Sequence, residues 1–457
     1  MQKVVRLRRE EVVDRNFWTL IRRNMNENCP YLYFTVSVSN KKHFLIPIRS
    51  FDKSLFGSGL SKLEISMTNS TSSNSRQIGA QTAAYFTAFI AIGLASSVLG
   101  PTLPALARNT GTAIAEIGFL FTARSLGFLL GATMGARLYD RLPGHRIMAL
   151  MLVGISLTLA LVPVTMQIWV LTAVLLLMGF VESLVDIGGN TLIVWVHKQK
   201  VGPFMNGLHF FFGVGAFLSP ILVAQTLLHS DGIQRAYWLL ALIILPAALF
   251  IFLQPSPAPI SQNRQQKATE RPNYGLVGMI SLFFFLYVGI EVGFGGWLFT
   301  YATTLGIASE AAAAYLTSAF WGALTVGRLL AIPLAAALRP RTILFIDLLL
   351  AMVSMGILLL WPNNTVALWI AVIGFGLAIA SIFPTILSFA GRRMRITGQI
   401  TGLFFAGAAL GGMTLPWLMG NLLENIAPIA IVWFVLLDLL IASGLMGIIW
   451  LKTQRSD

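Results

Sequence analysis

Glu182, Asp186 and Asn190 follow one another at one-turn intervals inside Ile168 to Val196, a run otherwise long and apolar enough to cross a membrane. An ionised carboxylate at the centre of a spanning helix costs about 2.5 to 3.5 kcal/mol on the insertion scale, so a chain that places two there has a use for them. The acids can hold a travelling cation and the amide can hydrogen-bond a polar solute. Together they mark a transport pathway. At about 100° per residue, Gly179, Glu182, Asp186, Gly189 and Asn190 share one face of this helix, while leucines and valines fill much of the rest. Two readings of Asp186 stay open: a coupling acid whose proton or sodium occupancy alternates with the inward and outward states, or a structural counter-charge for Arg124, which lies mid-span in the second helix. Glu182 stands between the same two roles.

A second group lies in another apolar run, where Glu291 is followed by Phe294, Trp297 and Tyr301 at spacings of three and four. Such a set suits a sugar, the acid and the phenol exchanging hydrogen bonds with hydroxyls while ring faces cover the C–H surface. An aromatic stripe alone reads as core or lipid-facing; the cost of the buried acid favours solute contact. Asn206 and His209, three residues apart on one helix face, can also bond sugar hydroxyls, although a lone His is often a packing residue. Gly213, Gly215 and Pro220 read as close packing and bending. Of the remaining intramembrane charges, Arg328 and Asp347 are explained by snorkelling or mutual pairing, and Asp438 has no assigned role. Trp321 reads as packing.

The elements that must position these groups are membrane helices. Hydrophobic residues make up 56% of the 457 and charged residues 11%, and the mean hydropathy is +0.76, which excludes a soluble globular domain. Apolar runs of about 20 residues begin near Ile78, Glu116, Ile147, Ile168, Pro203, Gly232, Tyr274, Ala311, Thr342, Val366, Ile396 and Ile426. These are too long for barrel strands, so the fold class is an all-α membrane protein of twelve transmembrane helices.

The net charge of +14 does not point to nucleic acid, because the basic residues sit in short gaps and in the first 62 residues, with no stripe or motif. Cys29 is the single cysteine, which rules out an intrachain disulfide and a cysteine-based metal site. No cofactor signature is present. If the segment before Ile78 lies inside, the inner loops carry Arg137, Arg141, Arg146, Lys198, Lys200, Arg264, Lys267, Arg271, Arg339, Arg341, Arg392, Arg393 and Arg395, and the tail adds Lys452 and Arg455. The outer loops hold Arg108 and Arg235 alone. Both termini are therefore expected in the cytoplasm.

A polar gap rich in Pro, Gln and Ser divides the spans six and six. The expected organisation is a cytoplasmic segment 1–76, a six-helix half 77–253, a linker 254–273, a second half 274–451 and a tail 452–457. An internal repeat supports it: Thr122, Ala123 and Gly131 match Ser318, Ala319 and Gly327 at constant offset, and GLHFFFGVGAFLSPIL from Gly207 resembles GLFFAGAALGGMTLPWLM from Gly402. Two related halves place a substrate site at their interface near the midplane. The first 66 residues are basic, include strand-like YLYFTVSV from Tyr31, and lack the apolar core of a signal peptide. A start at Met67, followed by a Ser/Thr/Asn-rich leader, and a small appended domain are equally good accounts of them.

Between the second and third spans stands GARLYDRLPGHR, from Gly135 to Arg146, which resembles the signature loop of the major facilitator superfamily. The resemblance implies that Gly135 and Gly144 allow close helix packing, Asp140 pairs with neighbouring charge, and Arg141 and Arg146 anchor the cytoplasmic face. The loop after the eighth span, LRPRTI from Leu338, keeps the arginines without the Asp and Gly. Val181 to Pro220 and Tyr287 to Gly306 are similar to the sodium-dependent glucose transporter branch of the fucose, galactose and glucose symporters. That likeness covers Ala80 to Leu451. It implies a sugar substrate carried with a coupling cation.

In the same resemblance Asp186 and Asn190 occupy the place of the coupling carboxylate and asparagine of fucose permeases, and His209 that of a glutamine. Ser97 and Phe212 replace an aspartate and an asparagine, which leaves proton and sodium both open as the coupling ion. The resulting expectation is a plasma-membrane sugar symporter working by alternating access. Asp186 and Glu182 would couple the cation, Asn190, Asn206, His209, Glu291, Trp297 and Tyr301 would bind substrate, and Arg124 would be a charge partner. It would act as a monomer in the lipid bilayer, without cofactor or metal, and would not be an enzyme. An efflux antiporter for amphipathic compounds and a non-transporting scaffold or sensor are the rivals that the same fold permits.

Overall fold

Polar residues placed just ahead of apolar runs start several of the long helices. Asn273, Ser309 and Asn364 each accept a hydrogen bond from the backbone N–H three residues on, at 3.1, 3.3 and 3.0 Å. The computed structural model describes residues 32–38, 42–48, 70–229, 232–257, 273–394 and 398–454. Within them twelve helices are long and apolar enough to span a bilayer. In order they are Arg76–Ser97, Ile114–Arg141, Gly144–Val164, Ile168–Lys200, Gly202–His229, Gln234–Phe252, Tyr274–Thr304, Glu310–Ala337, Pro340–Leu360, Thr365–Arg393, Gln399–Asn425 and Ala430–Thr453. They are called the first to twelfth spans below. The first is prolonged beyond a bend at Val98 by the helix Leu99–Thr110.

Separately, β1 (Leu32–Val38) and β2 (Lys42–Ile48) form an antiparallel pair in register from Leu32 opposite Ile48 to Val38 opposite Lys42, in agreement with the strand-like sequence after Tyr31. The choice between a start at Met67 and an appended domain falls largely outside the described residues. So do residues 258–272 of the expected linker.

Glycines let the spans approach to backbone contact. A Cβ on Gly127 of the second span would lie 1.9 Å from the carbonyl oxygen of Leu176 in the fourth, and one on Gly179 the same distance from that of Arg124. The fifth span meets the first in the same way, through Gly215 against Ile90, and the eleventh meets the seventh, through Gly411 against Phe285. With no gain in hydrophobic burial between helices in lipid, such close van der Waals packing is what holds them. The predicted repeat reappears here, since Gly131 closes on Phe180 of the fourth span as Gly327 closes on Leu377 of the tenth. Leucines and tryptophans such as Leu150, Leu157, Trp169 and Leu242 are exposed on the outer flanks, as a hydrocarbon solvent allows.

The first six spans and the last six are joined toward the end of the bundle remote from the described termini. There Thr122 Oγ1 donates to the Met413 carbonyl (2.7 Å), Ser125 Oγ to that of Gly412 (3.2 Å), and Ser318 Oγ to that of Phe217 (2.6 Å). Nearer that surface the Ala115 N–H donates to the Glu424 carboxylate, and Gln225 to the Tyr315 hydroxyl. Gly100 also rests on the backbone of Gly295 and Gly296. Toward the end that carries Arg76 and Thr453, Asn206 and His209 are exposed, and the His209 ring stands against Phe89 of the first span. Among the described residues, then, side-chain bonds that join the two groups of six gather at one end, and the fifth-span residues Asn206 and His209 toward the other are exposed.

Candidate transport site

The site starts from two arginines that hydrocarbon would not tolerate alone. Arg124 of the second span donates to Glu182 Oε2 through both Nε (3.0 Å) and Nη2 (2.7 Å), and to Ser96 Oγ of the first span at 2.8 Å. Glu182 is 1% exposed, and its Oε1 has no hydrogen-bond partner among the described residues. Arg328 of the eighth span pairs with Glu291 of the seventh at 3.3 Å, with Tyr287 beside both. Among the described residues, each group of six therefore carries one largely buried ion pair joining two of its own helices. Breaking such a pair leaves an uncompensated buried charge.

Several sequence expectations change on this geometry. The counter-charge of Arg124 is Glu182, so the structural alternative considered for Asp186 passes to its neighbour one turn away. Arg328 and Asp347 do not pair with each other: Arg328 is held by Glu291, and Asp347 accepts from the Ser381 hydroxyl. The fourth-span polar face is not uniformly turned to an opening either. Gly179 and Glu182 are buried against the second span, because a glycine there brings the two backbones into contact.

Asp186 makes no ion pair among the described residues. It is half-buried, and Asn190 Nδ2 donates to both its backbone oxygen (2.9 Å) and its Oδ1 (3.3 Å). Gly189, between them in the helix, lies against the Phe89 ring of the first span, and the edge of that ring meets His209 at 6.1 Å between centroids. His209 in turn lies within the electrostatic reach of Arg328 across the interface. Asp186, Asn190 and His209 thus lie along one interior region, which reaches the Glu291–Arg328 pair of the other group of six through His209. Asn206 stands one turn nearer the open end.

Trp297 and Tyr301 are not part of that region. Trp297 is fully buried, donating to the Pro416 carbonyl at 2.7 Å, with Gly118, Phe121 and Gly420 against its ring. No ring face is free to cover a sugar in this state. Tyr301 is one turn further toward the closed end, buried, with no partner for its hydroxyl among the described residues. The i, i+3, i+4 pattern that grouped them with Glu291 is real. It runs along the helix axis, however, so its members separate in depth.

Three contributors were passed over in the sequence. Ser96, rather than the neighbouring Ser97, meets Arg124; Ser97 donates to the Ala216 carbonyl at 2.8 Å. Phe89 had no signal beyond being aromatic, whereas Tyr287, one turn before Glu291, was visible as a polar neighbour. In the signature loop Gly135 meets Ile187 and Leu184, and Gly144 meets Leu192, so both give the close packing the resemblance implied. Asp140 departs from that expectation, being exposed and without an ion pair among the described residues. Arg141 and Arg146 are exposed at the same end.

Twelve spans, backbone-close pairs repeated in two groups, and a polar region between them define a membrane transporter. The chain belongs to the Major Facilitator Superfamily, whose family model matches residues 85–416. Within it the chain is similar to sodium-dependent glucose transporter 1 of Xenopus laevis, 32% identical over 358 residues that cover 72% of this chain and 73% of that one. The human protein of the same name is 30% identical over 405 residues, covering 80% and 78%. Among solved structures, a D-xylose-proton symporter superposes with a TM-score of 0.67 at 13% identity, over 80% of this chain and 97% of the other. The nucleoside transporter NupG gives 0.62 at 15%, over 82% and 98%. These two structures share the fold.

Proposed function

We propose that this transporter carries a hexose-type sugar across the plasma membrane by alternating access, coupled to a proton or a sodium ion. The observation that carries this reading is Asp186, a carboxylate of the interior region without a cationic partner among the described residues, bonded to Asn190 and on the same side of the bundle as His209. An acid already neutralised by an arginine has little affinity for a second cation. An unpaired one facing a water-accessible region can take up and release an ion as the two groups of six rock. Glu182, paired with Arg124, would on the same argument hold the second and fourth spans together and not couple the ion.

A sugar fits the region because each hydroxyl both donates and accepts, as these side chains require. The similarity to sodium-dependent glucose transporters supports the same substrate class. Trp297 would serve the closure of the end remote from the termini. The basic residues Arg137, Arg141, Arg146, Lys198, Lys200, Arg339, Arg341, Arg392, Arg393 and Lys452 gather at the end with the termini, which supports a cytoplasmic placement of that end. On this reading the transporter acts as a monomer, and the end with the basic residues is the one open to the cytoplasm.

Reconstitution of the full chain into liposomes tests the reading. A sodium or proton gradient is expected to drive accumulation of D-glucose or another hexose above its external concentration. Failure of every hexose under both gradients, with gradient-driven expulsion of an amphipathic cation instead, would replace it by efflux.

A further inference from the structure

At the closed end of the bundle, remote from the termini, a cleft of about 380 Å³ lies between the two groups of six. Its walls come from the helix Leu99–Thr110 and the start of the sixth span on one side, and from the seventh and eighth spans on the other. Arg108 and Glu310 bring opposite charges to it, and Asn109 and Gln234 bring amides. Neither charged side chain forms an ion pair with any described residue, and the amide nitrogen of Asn109 is buried without a hydrogen-bond partner. Pro101 and Phe299 supply the apolar part of the wall.

We propose that this cleft is a second solute site, taking a small neutral hydroxyl-rich molecule of hexose size, assembled while this end of the transporter is shut. The volume falls within the range of about 300 to 1,000 Å³ usual for small-molecule sites. Guanidinium donors, carboxylate acceptors and two amides match the mixed character of hydroxyl groups. With one positive and one negative side chain among the described residues of its wall, an anion or a cation would each meet a like charge. A neutral polyol meets none, and its C–H faces have proline and an aromatic ring to rest on. Because both groups of six form the walls, parting them at this end dismantles the cleft. A solute bound there favours the closed arrangement by mass action and slows the return to the outward-open one. The site would therefore let solute on that face restrain turnover.

The inference draws on the sugar reading only for its probe. Equilibrium binding of radiolabelled D-glucose to the purified full-length chain is expected to saturate at two molecules per chain. Arg108→Ala combined with Glu310→Gln should leave one, and Ala105→Trp, which fills the cleft without touching a charge, should also leave one. His209→Leu should leave one from the other site. A single molecule bound by the unaltered chain and kept by both cleft variants would overturn the second site while leaving the transport reading standing. A single molecule lost in both cleft variants and kept in His209→Leu would uphold the cleft and remove the interior sugar site. Absence of any binding to the unaltered chain would overturn both.

Discussion

Thr122 and Ser318 make the same hydrogen bond in opposite senses across the molecule. Thr122 of the second span donates to the carbonyl of Met413 in the eleventh, and Ser318 of the eighth donates to the carbonyl of Phe217 in the fifth. Phe217 and Met413 are separated by as many residues as Thr122 and Ser318. The internal repeat therefore extends to the contacts that shut one end of the bundle. Gly111 and Gly306, both left-handed with φ of 65° and 67°, end the helices before the second and eighth spans in the same paired manner.

Removing either hydroxyl should weaken the closure by about 0.5 to 1.5 kcal/mol, the net value of one hydrogen bond. Thr122→Val and Ser318→Ala are each expected to raise the population open at that end. The apparent affinity for solute added on that side should improve several-fold, up to about tenfold, with the double variant near the sum in free energy. Equal affinity in all three variants would show that these bonds do not restrain opening.

Trp297 is packed in the same closure, so its replacement has a sign opposite to that expected of a residue stacking on sugar. Trp297→Ala empties a fully buried site, at about 3 to 5 kcal/mol by analogy with other aromatic truncations in cores. Much of that loss should fall on the closed state. Transport assays should show tighter apparent binding from the closed-end side and slower turnover; weakened affinity from both sides would restore the stacking role.

The Arg124–Glu182 pair predicts a stability effect. Glu182→Gln leaves the Arg124 charge facing a neutral group in an apolar interior and should cost about 3 to 5 kcal/mol, seen as a loss of monodisperse protein. Changing both to methionine should restore yield, since two apolar groups of similar volume need no partner. Glu291→Gln should act in the same way through Arg328. If Glu182→Gln is instead well folded and has lost only gradient-driven transport, Glu182 is itself a coupling acid.

Asp186 is separated from these pairs by having no cation to lose. Asp186→Asn should fold at normal yield, abolish uphill accumulation and keep sugar counterflow. Retained accumulation would move the coupling site elsewhere.

Backbone contact makes the sharpest structural forecast. Gly127→Ala places a methyl group on the Leu176 carbonyl and should prevent stable assembly of the second and fourth spans. Gly278→Ala has nothing within 4 Å and should be neutral. Thermal unfolding of the two purified variants distinguishes them directly.

The number of spans and their order were already determined by the sequence, because hydrocarbon imposes its length and backbone demands on each helix independently. The runs starting at Ile168 and Tyr274 begin at the same residues in the structure, and the others with described starts differ by a few positions where helix ends fray. That the chain places acids within its spans at Glu182, Asp186 and Glu291 was equally legible. Which acid belonged to which arginine was not, because pairing depends on how helices far apart in the chain are rotated and how deeply they sit. Only the tertiary structure gave Arg124 to Glu182 and Arg328 to Glu291, left Asp186 without an ion pair among the described residues, and moved Trp297 from the interior region into the closure. A helical stripe records a direction around the axis, and position along it becomes meaningful only against a neighbouring helix.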